Sequence, residues 1–254
     1  MASEANNERQ TSTQGAVGDA TSAFQSLAKI SSDLFSTEIQ LTKFAAHYLR
    51  LGNGTQWFDW QSFLRAVRAY QRDDLILIYP NGNALVGEEG GRELIRGSSD
   101  KPTLGRTHEP IIRLDELSAV SNIADYIVYF VTQIVGVSID ADAIYGTVLN
   151  AFTNLEWASE SGFADFSSSS TGTNSSWEYR ITFSETYSGS SDTFLSFVST
   201  ILLEADIKNR SSWWGLVSSS RQHFRCEIIG LKFKVTKGFR DPVNPFDKFS
   251  DISI

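Results

Sequence analysis

Residues 177–184 read Trp-Glu-Tyr-Arg-Ile-Thr-Phe-Ser, and every second residue from Trp177 to Phe183 is aromatic or aliphatic. This alternation predicts a strand with one apolar face and one charged or hydroxyl-bearing face. The next run, Thr193 to Ala205, is rich in Phe, Leu, Val and Ile and has no Gly or Pro. Strands of globular proteins are usually about 5–6 residues long, whereas a tilted strand crosses a bilayer with about 9–11. The two runs are long enough for either role.

The rest of the second half continues the strand pattern. Turn-rich stretches at 167–174 and 188–191 separate the runs, and no internal repeat is apparent. The predicted strands are Glu156–Phe166, Ser176–Tyr187, Thr193–Ile207, Trp213–Val217 and His223–Val235.

Helical patterns precede these strands. A strongly apolar helix is predicted from Leu117 to Val137, and a shorter one from Asp140 to Thr153 completes a hairpin. The apolar core of the first, Ile123 to Val137, is interrupted by Asp125 and Gln133 and is shorter than the roughly 18–20 residues of a spanning helix. It therefore reads as a buried helix.

The first half predicts a second helical hairpin and one strand. From Ser22, the apolar residues Phe24, Leu27, Ile30, Leu34 and Phe35 follow a period of 3.6. Further helices are predicted at Thr37–Leu51 and Trp57–Tyr70, a strand at Leu75–Tyr79, and a Gly- and charge-rich loop at 81–110.

This order of elements predicts an α+β protein. The strands follow one another too closely for helical crossovers, which favours a central antiparallel sheet of long strands. A helical hairpin on each face gives a three-layer α-β-α sandwich. The chain of 254 residues suits one domain at 21–240. The expected flexible tails are 1–20, which is poor in large apolar side chains, and 241–254.

Composition narrows the function. A net charge of −8 without Lys or Arg clusters argues against nucleic acid as a partner. Cys226 is the single cysteine, so no intrachain disulfide can form. The polar start, Met1 to Arg9, lacks the apolar core of a signal peptide. We therefore expect a protein made in soluble form and released by a non-classical route.

Five short motifs, together with their spacing, resemble the Cyt family of cytolytic δ-endotoxins and the related volvatoxin. The resemblance covers about Ile123 to Val235, and the motifs are Ile134-Val135-Gly136-Val137, Ala151-Phe152-Thr153-Asn154-Leu155, the aromatic strand Phe163–Phe166, Ile181-Thr182-Phe183 and Gly230-Leu231-Lys232-Phe233-Lys234.

The resemblance implies a membrane-active cytolytic toxin that binds phospholipid bilayers, self-associates there, and forms pores or disrupts the membrane after a conformational change. It implies no cofactor and no enzymatic activity. The side chains expected to contact the membrane are Ile123, Ile127, Phe130, Ile134, Trp177, Phe183, Phe197, Trp213 and Trp214. Trp213 and Trp214, next to Arg210, suit an interfacial belt, and the alternative is a pair divided between core and surface.

Few residues indicate a catalytic, metal-binding or covalently modified site. His47, His108 and His223 lack the spacing of metal ligands, and no nucleotide or nucleophile motif is present. Alternation places Cys226 on the face of Phe224 and Ile228, which is typical of an inert core cysteine. The alternative follows from a more distant resemblance to the Erwinia virulence factor. In that case Cys226 carries a covalent fatty acid, and the chain is a lipid-bound virulence or interaction protein that forms no pores.

Overall fold

The computed structural model describes residues 23–52, 55–70, 72–78, 114–168, 174–207 and 209–243. The predicted loop 81–110, the first tail and most of the second lie outside these residues. The strands are β1 (Gln25–Lys29), β2 (Leu49–Gly52), β3 (Thr55–Phe58), β4 (Leu75–Ile78), β5 (Leu114–Ala119), β6 (Ala164–Ser168), β7 (Ser175–Thr186), β8 (Thr193–Ala205) and β9 (Arg221–Thr236). The helices are α1 (Phe35–Ala46), α2 (Trp60–Ala69), α3 (Val120–Tyr129), α4 (Ala141–Thr153), α5 (Leu155–Glu160) and α6 (Arg210–Trp213). A 3-10 turn, Ser32–Leu34, precedes α1, and a π-helical segment, Phe130–Ile134, continues α3.

Within the described residues the main sheet has seven strands, with the long antiparallel strands β7, β8 and β9 at its centre. β1 and β6 divide the outer edge of β7 between them, and β4 and β5 divide the outer edge of β9. β1 runs parallel to β7. The predicted sheet is thus confirmed, but as a mixed sheet rather than a purely antiparallel one.

Helices cover both faces, as predicted for a three-layer sandwich. On one face α3, the π-helical segment, α4 and α5 pack against an apolar core, and we call these elements the hairpin layer. On the other face a separate core lies under α1, α2 and the β2–β3 hairpin, which we call the N-terminal layer. Because side chains alternate along a strand, β7 to β9 send one set of residues into each core.

Several predicted boundaries were wrong, mostly where distant pairing overrides local helical spacing. Residues 25–29 form β1 because they pair with Ile181–Glu185 of β7. The predicted helix at Thr37–Leu51 ends at Ala46, where the chain enters the β2–β3 hairpin. The next begins at Trp60 because Asp59 caps it by accepting a hydrogen bond from the Ser62 N–H.

The second half contains three further corrections. The predicted helix at Leu117–Val137 begins at Val120, since Leu114–Ala119 pair with β9. The predicted strand at Glu156–Phe166 starts as the helix α5 and becomes β6 only at Ala164. The predicted strand at Trp213–Val217 is instead the end of α6 followed by a turn.

Candidate functional site

The hairpin formed by α3 and α4 packs an apolar face against the sheet. Its first residues are held by the backbone, because the N–H groups of Val120 and Ser121 donate to the carbonyls of Ser220 and Ser218. After the π-helical segment the chain reverses at Gly136, whose φ of 70° is a left-handed value that favours glycine. Asp140 then caps α4 by accepting from two backbone N–H groups.

Five of the nine residues predicted to contact the membrane meet in one internal layer. Ile123, Ile127 and Phe130 of the hairpin are fully buried, and Phe130 packs on Phe197 with ring centroids 6.2 Å apart. Phe197 in turn stacks on Phe183 at 6.3 Å. These side chains lie at the hairpin–sheet interface, and none of them is at the surface.

The remaining predicted contacts lie at the edge of that layer. Trp177 and Trp213 are fully buried with their rings 6.4 Å apart, and the indole N–H of Trp213 donates to Ser175 at 2.7 Å. Ile134 is half-buried, whereas Trp214 is 39% exposed. The tryptophan pair is therefore divided between core and surface, and Trp214 alone among the nine is an exposed side chain.

A polar cluster attaches the turn of the hairpin to the sheet. The Lys232 ammonium of β9 donates to the carbonyls of Val135 and Gly136 at 3.1 and 2.9 Å. Glu185 of β7 lies 3.9 Å from that ammonium and accepts from the Ser138 N–H. Burial lowers the pKa of Lys232, and the charge of Glu185 opposes the shift. We call these groups the Lys232 cluster.

Cys226 lies in the same apolar layer. It shares a face with Phe224 and Ile228, as predicted, and is 1% exposed. Burial, followed by the charge of Glu227, raises the pKa of the thiol to about 12. A buried neutral thiol of this kind is a poor nucleophile and behaves as a small apolar side chain.

The opposite face of the sheet carries a buried polar network instead. Glu38 of α1 accepts from the hydroxyls of Ser26 and Thr182 at 2.8 and 2.9 Å, and the Trp60 N–H donates to Thr200 at 2.9 Å. Burial raises the pKa of Glu38 despite these hydrogen bonds. These directional polar contacts accompany the apolar core that lies under the N-terminal layer.

Arg180 is a buried cation on the same face of the sheet. Its side chain is fully buried and donates to the carbonyls of Ala23 and Gly162 at 2.9 and 2.8 Å. It also pairs with Asp165 at 2.5 Å and Glu178 at 3.4 Å. Arg180 sits where β1 and β6 meet along β7, so it ties both edge strands to the sheet.

Sequence analysis missed Lys232, Arg180 and Glu38. For Lys232 the signal was present, because alternation places it on the face of Cys226 and Ile228. A second helical layer was also predicted, and it buries the polar face that carries Arg180. The partners Val135 of Lys232 and Thr182 of Glu38 lie far away along the chain.

The histidines form no common site. His47 contacts Asp241 at 2.5 Å, His223 is exposed on β9, and His108 lies outside the described residues. Among the residues described, no cluster of three or more His, Cys, Asp or Glu could hold a metal ion. In the same parts of the chain, no helix combines the length and hydropathy needed to cross a bilayer.

Comparison with known proteins gives a fold. No protein-family model matches, and no curated protein matches. A δ-endotoxin structure superposes with a TM-score of 0.62 at 11% identity, covering 89% of this chain and 86% of its own. The activated Cyt2Ba monomer from Bacillus thuringiensis subsp. israelensis superposes with a TM-score of 0.60 at 12% identity, covering 86% of this chain and all of its own.

This chain has the Cyt δ-endotoxin fold. The fold predicted from the sequence resemblance is thereby confirmed. Identities of 11% and 12% support shared architecture, and function has to be argued from the site. The likeness to volvatoxin and to the Erwinia factor stays a prediction.

Proposed function

We propose that this protein is a membrane-active cytolytic toxin whose hairpin layer separates from the sheet on contact with phospholipid. The observation that carries the proposal is the apolar chemistry of the hairpin–sheet interface, attached at its turn by the Lys232 cluster. The δ-endotoxin fold supports the same assignment. The action is physical disruption of a bilayer rather than catalysis, and it needs no cofactor.

The solvent decides whether separation is favourable. Opening the interface in water costs about 25 cal/mol for each Å² of apolar surface exposed, so the closed form is preferred there. Hydrocarbon removes this cost, because side chains such as Phe130 and Phe197 are as well solvated by lipid tails as by each other. The closed form is therefore stable in water, and the open form partitions into the bilayer.

The central strands suit a bilayer. β7, β8 and β9 contain 12, 13 and 16 residues, and about 9–11 are needed to cross the hydrocarbon core. Hydrocarbon cannot satisfy an open sheet edge, so strands that enter it have to pair between copies in a closed assembly. Self-association on the membrane therefore belongs to the proposal.

A reversible cross-link tests the separation. In a Cys226→Ala background, Ser138→Cys and Glu185→Cys place thiols on the hairpin turn and on β7, at the two residues joined by the hydrogen bond from the Ser138 backbone N–H to the Glu185 carboxylate. We expect the oxidised protein to release no dye from phospholipid vesicles and the reduced protein to release it. A matched pair, Gln40→Cys with Asp241→Cys, joins α1 to the chain after β9, where the native groups lie 3.2 Å apart. That link should leave release unchanged.

Equal release by the oxidised and reduced Ser138–Glu185 protein, with the disulfide confirmed, would contradict separation. Vesicle binding without release at any composition would favour the alternative lipid-bound protein. Intact mass of the cell-expressed protein then tests S-acylation directly. A hydroxylamine-sensitive palmitoyl adduct on Cys226 supports the alternative, and an unmodified mass excludes it.

A further inference from the structure

Three exposed apolar side chains lie on the two segments that meet at the start of α3. Leu117 of β5 is 64% exposed, Trp214 is 39% exposed, and Val217 is 57% exposed. The segment after α6 carries Trp214 and Val217, and its residues Ser218 and Ser220 accept the backbone hydrogen bonds from the first residues of α3, directly after the β5 strand that carries Leu117. We call these three residues the end patch.

A cation lies on the end patch. The Arg210 guanidinium carbon is 5.8 Å from the centre of the Trp214 ring and 5.6 Å from that of Trp177, and one of its N–H groups donates to Ser159 at 2.8 Å. Stacking on two indoles fixes the guanidinium while leaving other N–H donors for an anion. On the neighbouring end of β9, Arg221 is also exposed.

We propose that the end patch, with Arg210, is the surface that first contacts the phospholipid bilayer, before the hairpin layer separates. This inference rests on the proposed function. An indole beside a guanidinium matches the membrane interface, where the ring lies at the headgroup level and the cation meets phosphate oxygens. In a chain with net charge −8, a cation at an apolar patch is suited to this anionic partner.

The position of the end patch links contact with the bilayer to separation of the hairpin layer. Val120 and Ser121 begin α3 and are hydrogen-bonded to the same turn that carries Val217. A bilayer that takes up this turn therefore meets the hairpin layer at its point of attachment. A competing exposed pair, Leu51 (78%) and Trp57 (46%), lies on the β2–β3 hairpin. That hairpin belongs to the N-terminal layer, where the Phe58 N–H donates to Glu178 at 2.9 Å.

A single fluorescent probe locates the contact. Val217→Cys in a Cys226→Ala background is labelled with an environment-sensitive dye and mixed with vesicles of phosphatidylcholine and phosphatidylglycerol. We expect a blue shift and quenching by nitroxide-labelled lipid at position 217. The same dye at Leu51→Cys should stay in water. The proposal is overturned if the probe at 51 enters the lipid and the probe at 217 does not.

Binding affinity gives an independent measurement. Val217→Asp should weaken vesicle binding about tenfold or more, because a charge replaces an apolar contact, while Ile39→Asp on α1 should change it by less than about twofold. Ile39 is a matched control because it is 45% exposed and lies outside the patch. Equal losses for both variants overturn the proposal.

The two proposals fail differently. If the unmodified protein binds vesicles and releases dye while Val217→Asp behaves like the control, the end patch is wrong and the proposed function stands. If the unmodified protein binds no phospholipid vesicle, both are overturned.

Discussion

The two faces of the central sheet are closed by layers of different chemistry. Beneath the N-terminal layer lie buried polar groups that include Glu38, Arg180 and Thr200, each with a named hydrogen-bond partner. Beneath the hairpin layer the core is mostly apolar, and its polar contacts include the Lys232 cluster at the turn and the hydrogen bonds of Trp213 to Ser175 and of Tyr179 to Gln25. Moving polar groups into hydrocarbon costs several kcal/mol each, whereas apolar side chains enter freely. This difference in polarity is the reason that the proposed separation involves the hairpin face.

Arg180→Met should cause the largest loss in the free energy of unfolding. Removing the guanidinium leaves Asp165 and the half-buried Glu178 without their cation, and breaking a buried pair in this way costs about 3–5 kcal/mol. Denaturant unfolding measures the loss. Arg225→Met is the matched control, because Arg225 is 55% exposed and pairs with Glu204 at 3.3 Å. A surface pair contributes about 1 kcal/mol or less. Similar losses for both variants would show that the polar network does not hold the N-terminal layer.

Gly230→Ala should disturb the hairpin face through shape alone. A Cβ at Gly230 would lie 2.3 Å from two carbons of the Phe197 ring and 2.8 Å from the Val198 carbonyl oxygen. Overpacking of this kind costs about 1–3 kcal/mol. The same substitution at Gly146, which is exposed within α4 and has nothing within 4 Å, should stabilise by about 0.5–1 kcal/mol. Thermal unfolding of the two variants should therefore shift in opposite directions, and a shared direction would contradict the packing argument.

The apolar packing against the sheet was predictable from the sequence, and the buried polar contacts were not. Alternation from Trp177 to Phe183 identified the apolar face because large apolar side chains carry that signal locally. The polar contacts of Glu38 and Lys232 join residues 144 and 97 positions apart, so no local pattern contains them. β1 was missed for the same reason, since its strand identity comes from pairing with β7.

Lys232→Met should loosen the hairpin turn while keeping most of its packing. The change removes two hydrogen bonds to backbone carbonyls and the contact with Glu185, and we expect a loss of about 1–2 kcal/mol concentrated at residues 135–139. Hydrogen exchange of those amides should quicken. If the hairpin separates on membranes, dye release should also quicken. Lys234→Met is the control, because Lys234 lies over Tyr187, with its Nζ 4.8 Å from the ring centre. Unchanged exchange at 135–139 would mean the cluster does not attach the turn.

The sign of the pH dependence is clearest for Glu38→Gln. Burial raises the pKa of Glu38 above its usual 4.5, so the native state binds the proton of this carboxyl more tightly than the unfolded state does. Its contribution to stability is complete below about 4.5 and is lost as pH rises through the native pKa. The unfolding free energy of the unmodified protein, minus that of Glu38→Gln, should therefore fall as pH increases from 4.5.

Asp33→Asn provides the opposite case in the same layer. Hydrogen bonds from Lys237 and Ser31 lower the pKa of the exposed Asp33 below its usual 3.8, so its contribution is present above that pH and is lost on acidification. The two difference curves, measured by urea unfolding across pH, should have opposite slopes. A flat curve for Glu38→Gln would mean that water reaches this carboxyl. The N-terminal layer would then be more hydrated and easier to separate from the sheet. The contrast between the two faces would be smaller than argued above.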